Sequence, residues 1–254
     1  MRELLSEKLQ IKAFFKPITF NAAKNLQTWR VPSGIEQIHI DCVASRGASP
    51  NAKGGNGGRV QCDLKVTPNT LLNIMVGEIP TSGTVASYNA SDIRIGGTEY
   101  SHRVIVAGGG GSGGGGGGRS GAFPGGGGGG LTGGNGGNTG GFGDQAAKGG
   151  TQSAGGMGGT YGSYGGYDGV NGTLGLGGNG AAGGSYGEIS GAGGAGYYGG
   201  GSGSRPSRAH WKDGAGNGGG GGSSYTSENL CTNVIHTQGF CNNVGYVMIS
   251  MVDK

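Results

Sequence analysis

Two stretches of this chain bring together side chains able to do chemistry, and that chemistry is recognition. They are Tyr161-Gly-Ser-Tyr164-Gly-Gly-Tyr167-Asp168 and Arg205-Pro-Ser-Arg208-Ala-His210-Trp211-Lys212, both set in a region dominated by glycine. Tyrosine, tryptophan and arginine dominate interface hot spots, and mixtures of Tyr, Ser and Gly are what antibody loops use. The receptor-binding candidates are therefore Arg205, Arg208, His210, Trp211, Lys212, Tyr161, Tyr164 and Tyr167. The competing reading is that these aromatics only cover the edges of the region or fill gaps within it.

Catalytic signals are weak. The histidines His39, His102, His210 and His236 have no carboxylate at a spacing suited to a base. Val104–Gly111 (VIVAGGGG) imitates a dinucleotide fingerprint, but that site needs a helix after the turn and an acidic residue about 20 positions on. Beyond Gly108 the chain carries only more glycine, which cannot form that helix. GGGGSSY at 219–225 likewise lacks the strand-turn-helix setting of a hydrolase elbow. His236 between two cysteines is not a ligand set, and no CxxC occurs. The expectation is no enzyme, no metal and no cofactor.

The four cysteines fall into two local pairs. Cys42 and Cys62 share the parity of the apolar residues around them (Ile38, Ile40, Ala44; Val60, Leu64, Val66), so both thiols face a core if their segments are neighbouring strands. They are disulfide candidates, with two buried free thiols as the equal alternative. Cys231 and Cys241 flank the polar stretch CTNVIHTQGFC, and a disulfide closing a loop there is expected, the alternative being reduced thiols in an intracellular assembly.

All these residues must be positioned by unusual material. Of the 115 residues from 108 to 222, 57 are glycine, with unbroken runs such as Gly113–Gly118, Gly125–Gly130 and Gly218–Gly222. Glycine disfavours helix and strand interiors by roughly 0.5–1 kcal/mol relative to Ala. The tract is either a disordered tether or a solid in which backbone hydrogen bonds replace side-chain packing. Runs of similar length, broken by short polar or aromatic interruptions, favour rods joined by turns. The rod conformation is the left-handed threefold helix, with about 3 residues per turn and no internal hydrogen bonds. Bundling such rods satisfies the outward-pointing N–H and C=O groups. The expectation is a lattice of polyglycine II helices over 108–222.

The flanks carry period-2 alternation. Pro17–Asn21, Leu26–Val31, Ile35–Ala44, Arg59–Thr67, Leu71–Gly77, Ser91–Ile95, Glu99–Ala107 and Gly245–Val252 read as about eight strands of an antiparallel sandwich or jelly roll. Residues 16–107 and 223–254 would form it, with the tract inserted between the final two strands. Residues 1–15, with Leu4, Leu5, Leu9 and Ile11 among charges, suit a short helix or a docking arm. The formal charge of +4 is scattered, without a Lys/Arg block or an Arg-Gly-Gly box, which argues against nucleic acid. No stretch is apolar enough for a membrane span or a secretory signal.

The ordered series TWRVPSG, a strand ending near RGA, GGNGGRV, LKVTPNTLLNIMVG and VIVAGGGGSGGGG, then KGGTQSAGG, AGYYGGGSGS, GGGGGSSY and GYVMIS, resembles the glycine-rich domain family. That family includes the membrane-proximal ectodomains of anaplastic lymphoma kinase and leukocyte tyrosine kinase and many microbial proteins. The resemblance runs from about Phe20 to Val252. It implies an all-β fold: a tumour-necrosis-factor-like antiparallel β-sandwich whose late loop expands into polyglycine II helices. It also implies a structural role for Tyr197 and Tyr198. No transmembrane span or kinase domain accompanies the match, so a receptor kinase is not expected, and the matching residues are architectural. A second, purely architectural likeness is to phage tail-fibre-tip adhesins, in which loops between polyglycine helices contact bacterial outer-membrane proteins.

The function expected is thus a non-enzymatic receptor-binding adhesin at a phage tail-fibre tip, recognising a host cell-surface protein or glycan. The alternative is a structural subunit of an extracellular filament or matrix, joined to a fibre or neighbouring subunit through the N-terminal arm. The expected location is the virion surface or the extracellular space, without membrane insertion.

Overall fold

The computed structural model describes residues 14–116, 122–138, 145–162, 166–182, 188–206 and 215–252. Most of the expected N-terminal arm, residues 1–13, lies outside them. The strands are Ile18–Asn21 (β1), Gln27–Arg30 (β2), Gln37–Val43 (β3), Gly57–Lys65 (β4), Leu71–Val76 (β5), Ser91–Ile95 (β6), Arg103–Ala107 (β7), Gly166–Tyr167 (β8), Arg205–Pro206 (β9), Tyr225–Thr226 (β10), Cys231–Cys241 (β11) and Tyr246–Ser250 (β12). Ten of them form two antiparallel sheets, in the orders β1-β12-β3-β4-β11 and β10-β7-β6-β5-β2. Among the described residues there is no α-helix, only the 3-10 turn Tyr100–His102.

Alternation explains the sheets. In β3 the fully buried residues Ile38, Ile40 and Cys42 face inward, and in β4 Val60, Cys62 and Leu64 do the same. They meet Leu72, Ile74 and Val76 of β5, Ile93 of β6, Ile105 of β7 and Val247 and Ile249 of β12 in one core. Fully burying such a side chain contributes roughly 1.5–3 kcal/mol. Turn chemistry ends the strands where the sequence places it. Gly34 takes φ 80° after Pro32-Ser33, and Asn69 takes φ 66° between β4 and β5, conformations that glycine and asparagine tolerate best.

Three expectations are corrected. The stretch CTNVIHTQGFC is not a loop but β11, an edge strand of 11 residues beside β4. Cys231 and Cys241 stand at its two ends, and a strand of that length spans about 30 Å. A disulfide needs Cα atoms within about 7 Å, so these two cannot pair with each other. All four cysteines, Cys42 and Cys62 included, are free thiols. The tract does not lie between the last two strands either: it leaves the body after β7 and returns through β10, which pairs with β7, ahead of β11 and β12. Finally, only the second half of Glu99–Ala107 is strand.

The described parts of the tract are extended segments bonded to one another through their backbones. Gly109, Ser112 and Gly115 donate to Ala195, Ala192 and Ile189. Gly110 and Gly113 donate to Ser45 and Ala48, and Gly111 and Gly114 to Gly126 and Phe123. Each segment therefore turns to a new neighbour at every residue and returns to the same one after three. Gly216, Gly219 and Gly222 repeat the pattern against Gly115, Ser112 and Gly109, while Gly218 and Gly221 reach Gly137 and Gly134. Glycine is present for close approach, since among the described residues of the tract only Gly129, Gly130 and Gly175 take positive φ. A Cβ on Gly114 would sit 1.9 Å from the carbonyl oxygen of Gly216, and one on Gly111 2.1 Å from that of Gly219.

Two side chains bind tract to body. Asn89, buried between β5 and β6, donates from Nδ2 to the Ser45, Arg46 and Gly110 carbonyls, and its Oδ1 accepts the Ala195 N–H at 2.9 Å. Arg103 donates to the carbonyls of Gly196 and Tyr197 at 2.7 and 3.0 Å and lies 4.6 Å from the Tyr100 ring centre. Tyr197 in turn stacks on Tyr225, centroids 4.2 Å apart.

Candidate functional site

The structure brings the two recognition stretches into contact. The tract segments 155–160 and 169–173 run antiparallel, the Gly169 and Gly172 N–H groups donating to the Gly159 and Gly156 carbonyls. The turn between them carries Tyr161, Gly166, Tyr167 and Asp168. Segment 199–204 lies alongside, with the Ser202 N–H on the Val170 carbonyl and the Gly159 N–H on that of Ser202. At its end Ser204 donates from Oγ to the Thr160 carbonyl and accepts from Asn217 Nδ2 at 2.9 Å. The next residues are β9, and β9 pairs with β8: Tyr167 stands opposite Arg205 and Gly166 opposite Pro206.

Tyr167 is 51% exposed, and the Arg205 guanidinium carbon lies 4.2 Å from its ring centre. Such a cation–π contact contributes roughly 0.5–2 kcal/mol, rising as water is excluded. Arg205 itself is buried and donates from Nη2 to the Ala182 carbonyl at 2.9 Å. It supports Tyr167 from below rather than presenting its charge outward. Tyr161 is half-buried: its backbone N–H donates to Asp168 Oδ1 at 2.8 Å, closing the turn. Gly166 lies against the Tyr161 ring so closely that a Cβ would come within 2.3 Å of it. Tyr164, Arg208, His210, Trp211 and Lys212 lie outside the described residues.

Beside this pair are exposed apolar residues that sequence reasoning missed. Val170 lies on segment 169–173 and Met157 on the neighbouring segment, 55% and 57% exposed, and Leu174 and Leu176 are exposed in the turn that follows, where the Thr173 N–H donates to the Leu176 carbonyl and Gly175 takes φ 89°.

A second polar constellation lies on the outward face of the β3–β4 pair. Arg59 donates to both carboxylate oxygens of Asp41 at 2.7 and 2.9 Å, and the Tyr246 hydroxyl donates to the same carboxylate. Asp63 accepts from Asn233 Nδ2 at 2.7 Å and faces His39 Nδ1 at 2.8 Å. Burial pushes the Asp63 carboxyl up, but the hydrogen bonds from His39 and Asn233 outweigh it and hold the carboxyl below the ordinary range. These groups saturate one another and tie β3, β4, β11 and β12 together. Among the described residues no group of three or more His, Cys, Asp or Glu could hold a metal ion, and no helix is long and apolar enough to cross a membrane.

No family model matches the chain, and no curated protein matches it.

Proposed function

We propose that this chain is a non-enzymatic receptor-binding adhesin built on the glycine-rich domain architecture and carried on a virion surface at a tail-fibre tip. In this reading the sheets are a tumour-necrosis-factor-like sandwich, and the tract segments are left-handed threefold helices packed as a lattice. The change of hydrogen-bond partner at each residue, with return after three, supports the helical reading. The side-by-side placing of the first and last strands, β1 and β12, supports the sandwich reading.

The observation that carries recognition is the β8–β9 pair. It joins a tyrosine-rich loop to a cationic one distant in sequence and sets Tyr167 outward on a buried arginine. A contact residue held by a rigid frame binds without losing much freedom, which lowers the ordering cost of association. The partner this surface suits is a host surface protein, met by Tyr167 and the loop continuing through Arg208, His210, Trp211 and Lys212.

The test is adsorption of labelled protein to a panel of bacterial cells, comparing the native chain with Tyr167→Ala and with a chain whose 207–212 loop is replaced by Gly/Ser. Truncating a hot-spot tyrosine costs about 2 kcal/mol or more, so adsorption to a recognised strain falls roughly 30-fold. Unchanged adsorption by both folded variants removes the proposal. Assembly of the purified protein into filaments that vanish when residues 1–15 are deleted would support the structural-subunit reading instead.

A further inference from the structure

Three of the four thiols converge inside the body on the successive paired strands β3, β4 and β11, with Cys62 the diagonal neighbour of both Cys42 and Cys231. Cys62 of β4 and Cys231 of β11 both point into the apolar core. Cys231 stands opposite Leu64, so Cys62 is its diagonal neighbour on the same face. The neighbouring Cys62 thiol lowers the pKa of Cys231, whose own thiol reaches the Val104 carbonyl at 4.0 Å. Cys42 is engaged elsewhere: its thiol donates to the Ser91 carbonyl across the sheets. Cys241 pairs with Gly57 at the far end of β11.

We infer that Cys62 and Cys231 form a redox-reversible disulfide that staples the edge strand β11 to β4. Diagonal partners in an antiparallel pair have Cα atoms about 7–8 Å apart, and bridged cysteines need roughly 4.4–6.8 Å. The shortfall is about 1 Å, and the strand has the means to close it. Between Thr232↔Asp63 and Ile235↔Gln61 the register slips, so Asn233 and Val234 of β11 together face Cys62 alone. Asn233 takes φ 53° there. A bulge is where a strand bends without breaking its flanking pairs, and this one begins two residues after Cys231, beyond the Thr232–Asp63 pair.

The chemistry needs a disulfide oxidant of low molecular weight, such as glutathione disulfide. Cys231 loses its proton and attacks one glutathione sulfur, giving a mixed disulfide and releasing one glutathione thiolate. Cys62 then gives up its proton and attacks the Cys231 sulfur, releasing the second glutathione. Two protein thiols lose two electrons and two protons, and one glutathione disulfide becomes two glutathione thiols. Cys231 is suited to the first attack, because the Cys62 thiol stabilises its anion and, with a backbone hydrogen bond from Ser227, outweighs the effect of burial. The inference does not depend on the adhesin reading, since it concerns the body alone.

The experiment uses the full chain equilibrated with excess glutathione disulfide, then acid-quenched, unfolded and alkylated with iodoacetamide. At most two alkyl groups per chain are expected after oxidation, because the partly exposed Cys241 also forms a mixed disulfide with glutathione, against four after dithiothreitol, together with a rise in Tm of roughly 5–10 °C. In the Cys241→Ser variant, tryptic peptides Val60–Lys65 and Asp213–Lys254 should appear joined under non-reducing conditions. The link should persist in Cys42→Ser and vanish in Cys62→Ser. Should Cys62→Ser fail to fold, peptide mapping of the other two variants decides alone. Four alkyl groups at excess oxidant, or a link made through Cys42 or Cys241, would overturn the inference.

Discussion

Adding one methyl group to the centre of the tract should do more damage than any surface change in the body. Gly200 is buried, and a Cβ placed on it would lie 2.2 Å from the Gly220 carbonyl oxygen and 2.4 Å from its carbon. Ordinary Cβ contacts begin near 3.4 Å, so the two segments must part by about 1.2 Å. The hydrogen bonds nearby, Gly220 N–H to Gly201 O at 2.8 Å and Gly200 N–H to Gly194 O at 2.9 Å, would stretch toward 4 Å, beyond useful range. Overpacking costs about 1–3 kcal/mol and each orphaned buried group about 1–3 kcal/mol. Gly200→Ala should therefore lose roughly 3 kcal/mol or more. Gly127 is the internal control: its phantom Cβ meets nothing closer than 3.4 Å, so Gly127→Ala should be neutral or gain up to about 1 kcal/mol through the unfolded chain. Urea denaturation of both variants supplies the measurement. Equal midpoints for Gly200→Ala and the native chain would refute the close-approach argument, and so would an equal loss at Gly127.

Asn89→Ala removes three donated and one accepted hydrogen bond at a buried strut, and should lower stability by roughly 2–4 kcal/mol in the same assay. The same burial keeps the Asn89-Ala-Ser sequon from an oligosaccharyltransferase acting on folded protein, whereas Asn171 is exposed; glycosylation in a eukaryotic host, read by glycopeptide mass spectrometry, should be confined to Asn171. Arg103→Lys keeps the charge but loses the fork on the Gly196 and Tyr197 carbonyls, so amide exchange at residues 195–198 should accelerate while β3 and β4 stay protected. Acid should weaken the body through two groups of the same sign. Asp63 is held below the ordinary carboxyl range, so its contribution is full above the unfolded value near 3.9 and fades as pH falls through the lower folded value. Burial lowers His236, so its neutral form favours folding above about pH 6.5 and that advantage falls away as the unfolded imidazole takes up a proton. Native stability should decline in two steps on acidification, and His236→Gln should remove the upper one.

How legible each element is in the sequence depends on how it is held. β3, β4, β5 and β12 bury one face, so alternation at Ile38, Ile40, Leu72, Ile74, Val247 and Ile249 marked them. β11 was missed because an edge strand has one neighbour: Thr232, Asn233, Val234 and Ile235 are all exposed, and a stretch exposed on both faces carries no alternating signature. β10 was missed because a two-residue pairing is too short for any period. At the candidate site the residue types were readable and their roles were not. Arg205 and Tyr167 both looked like contact residues, yet pairing across β8 and β9 sends one beneath the other.

That asymmetry comes from building a surface on backbone alone. A segment bonded to three neighbours has little spare room for a large side chain, so among the described residues of the tract the buried replacements for glycine are mostly small, such as Ser112, Ala192, Ala195 and Ser202, with Glu188 and Asn217 among the larger exceptions. Bulk is pushed to outer segments and to turns. On outer segments and the turns that follow them, side chains such as Met157, Val170 and Leu174 stand exposed. At a turn, Arg205 keeps its buried place because the Ala182 carbonyl and the Tyr167 ring both receive its guanidinium. Arg205→Ala should therefore lower binding by releasing Tyr167, an effect that Arg205→Lys partly restores because an ammonium still engages the ring. A phenylalanine at 167 preserves the stacking and isolates the hydroxyl. If Arg205→Ala and Arg205→Lys bind cells equally well, the arginine is not positioning the tyrosine, and the exposed ring stands on the backbone pair alone.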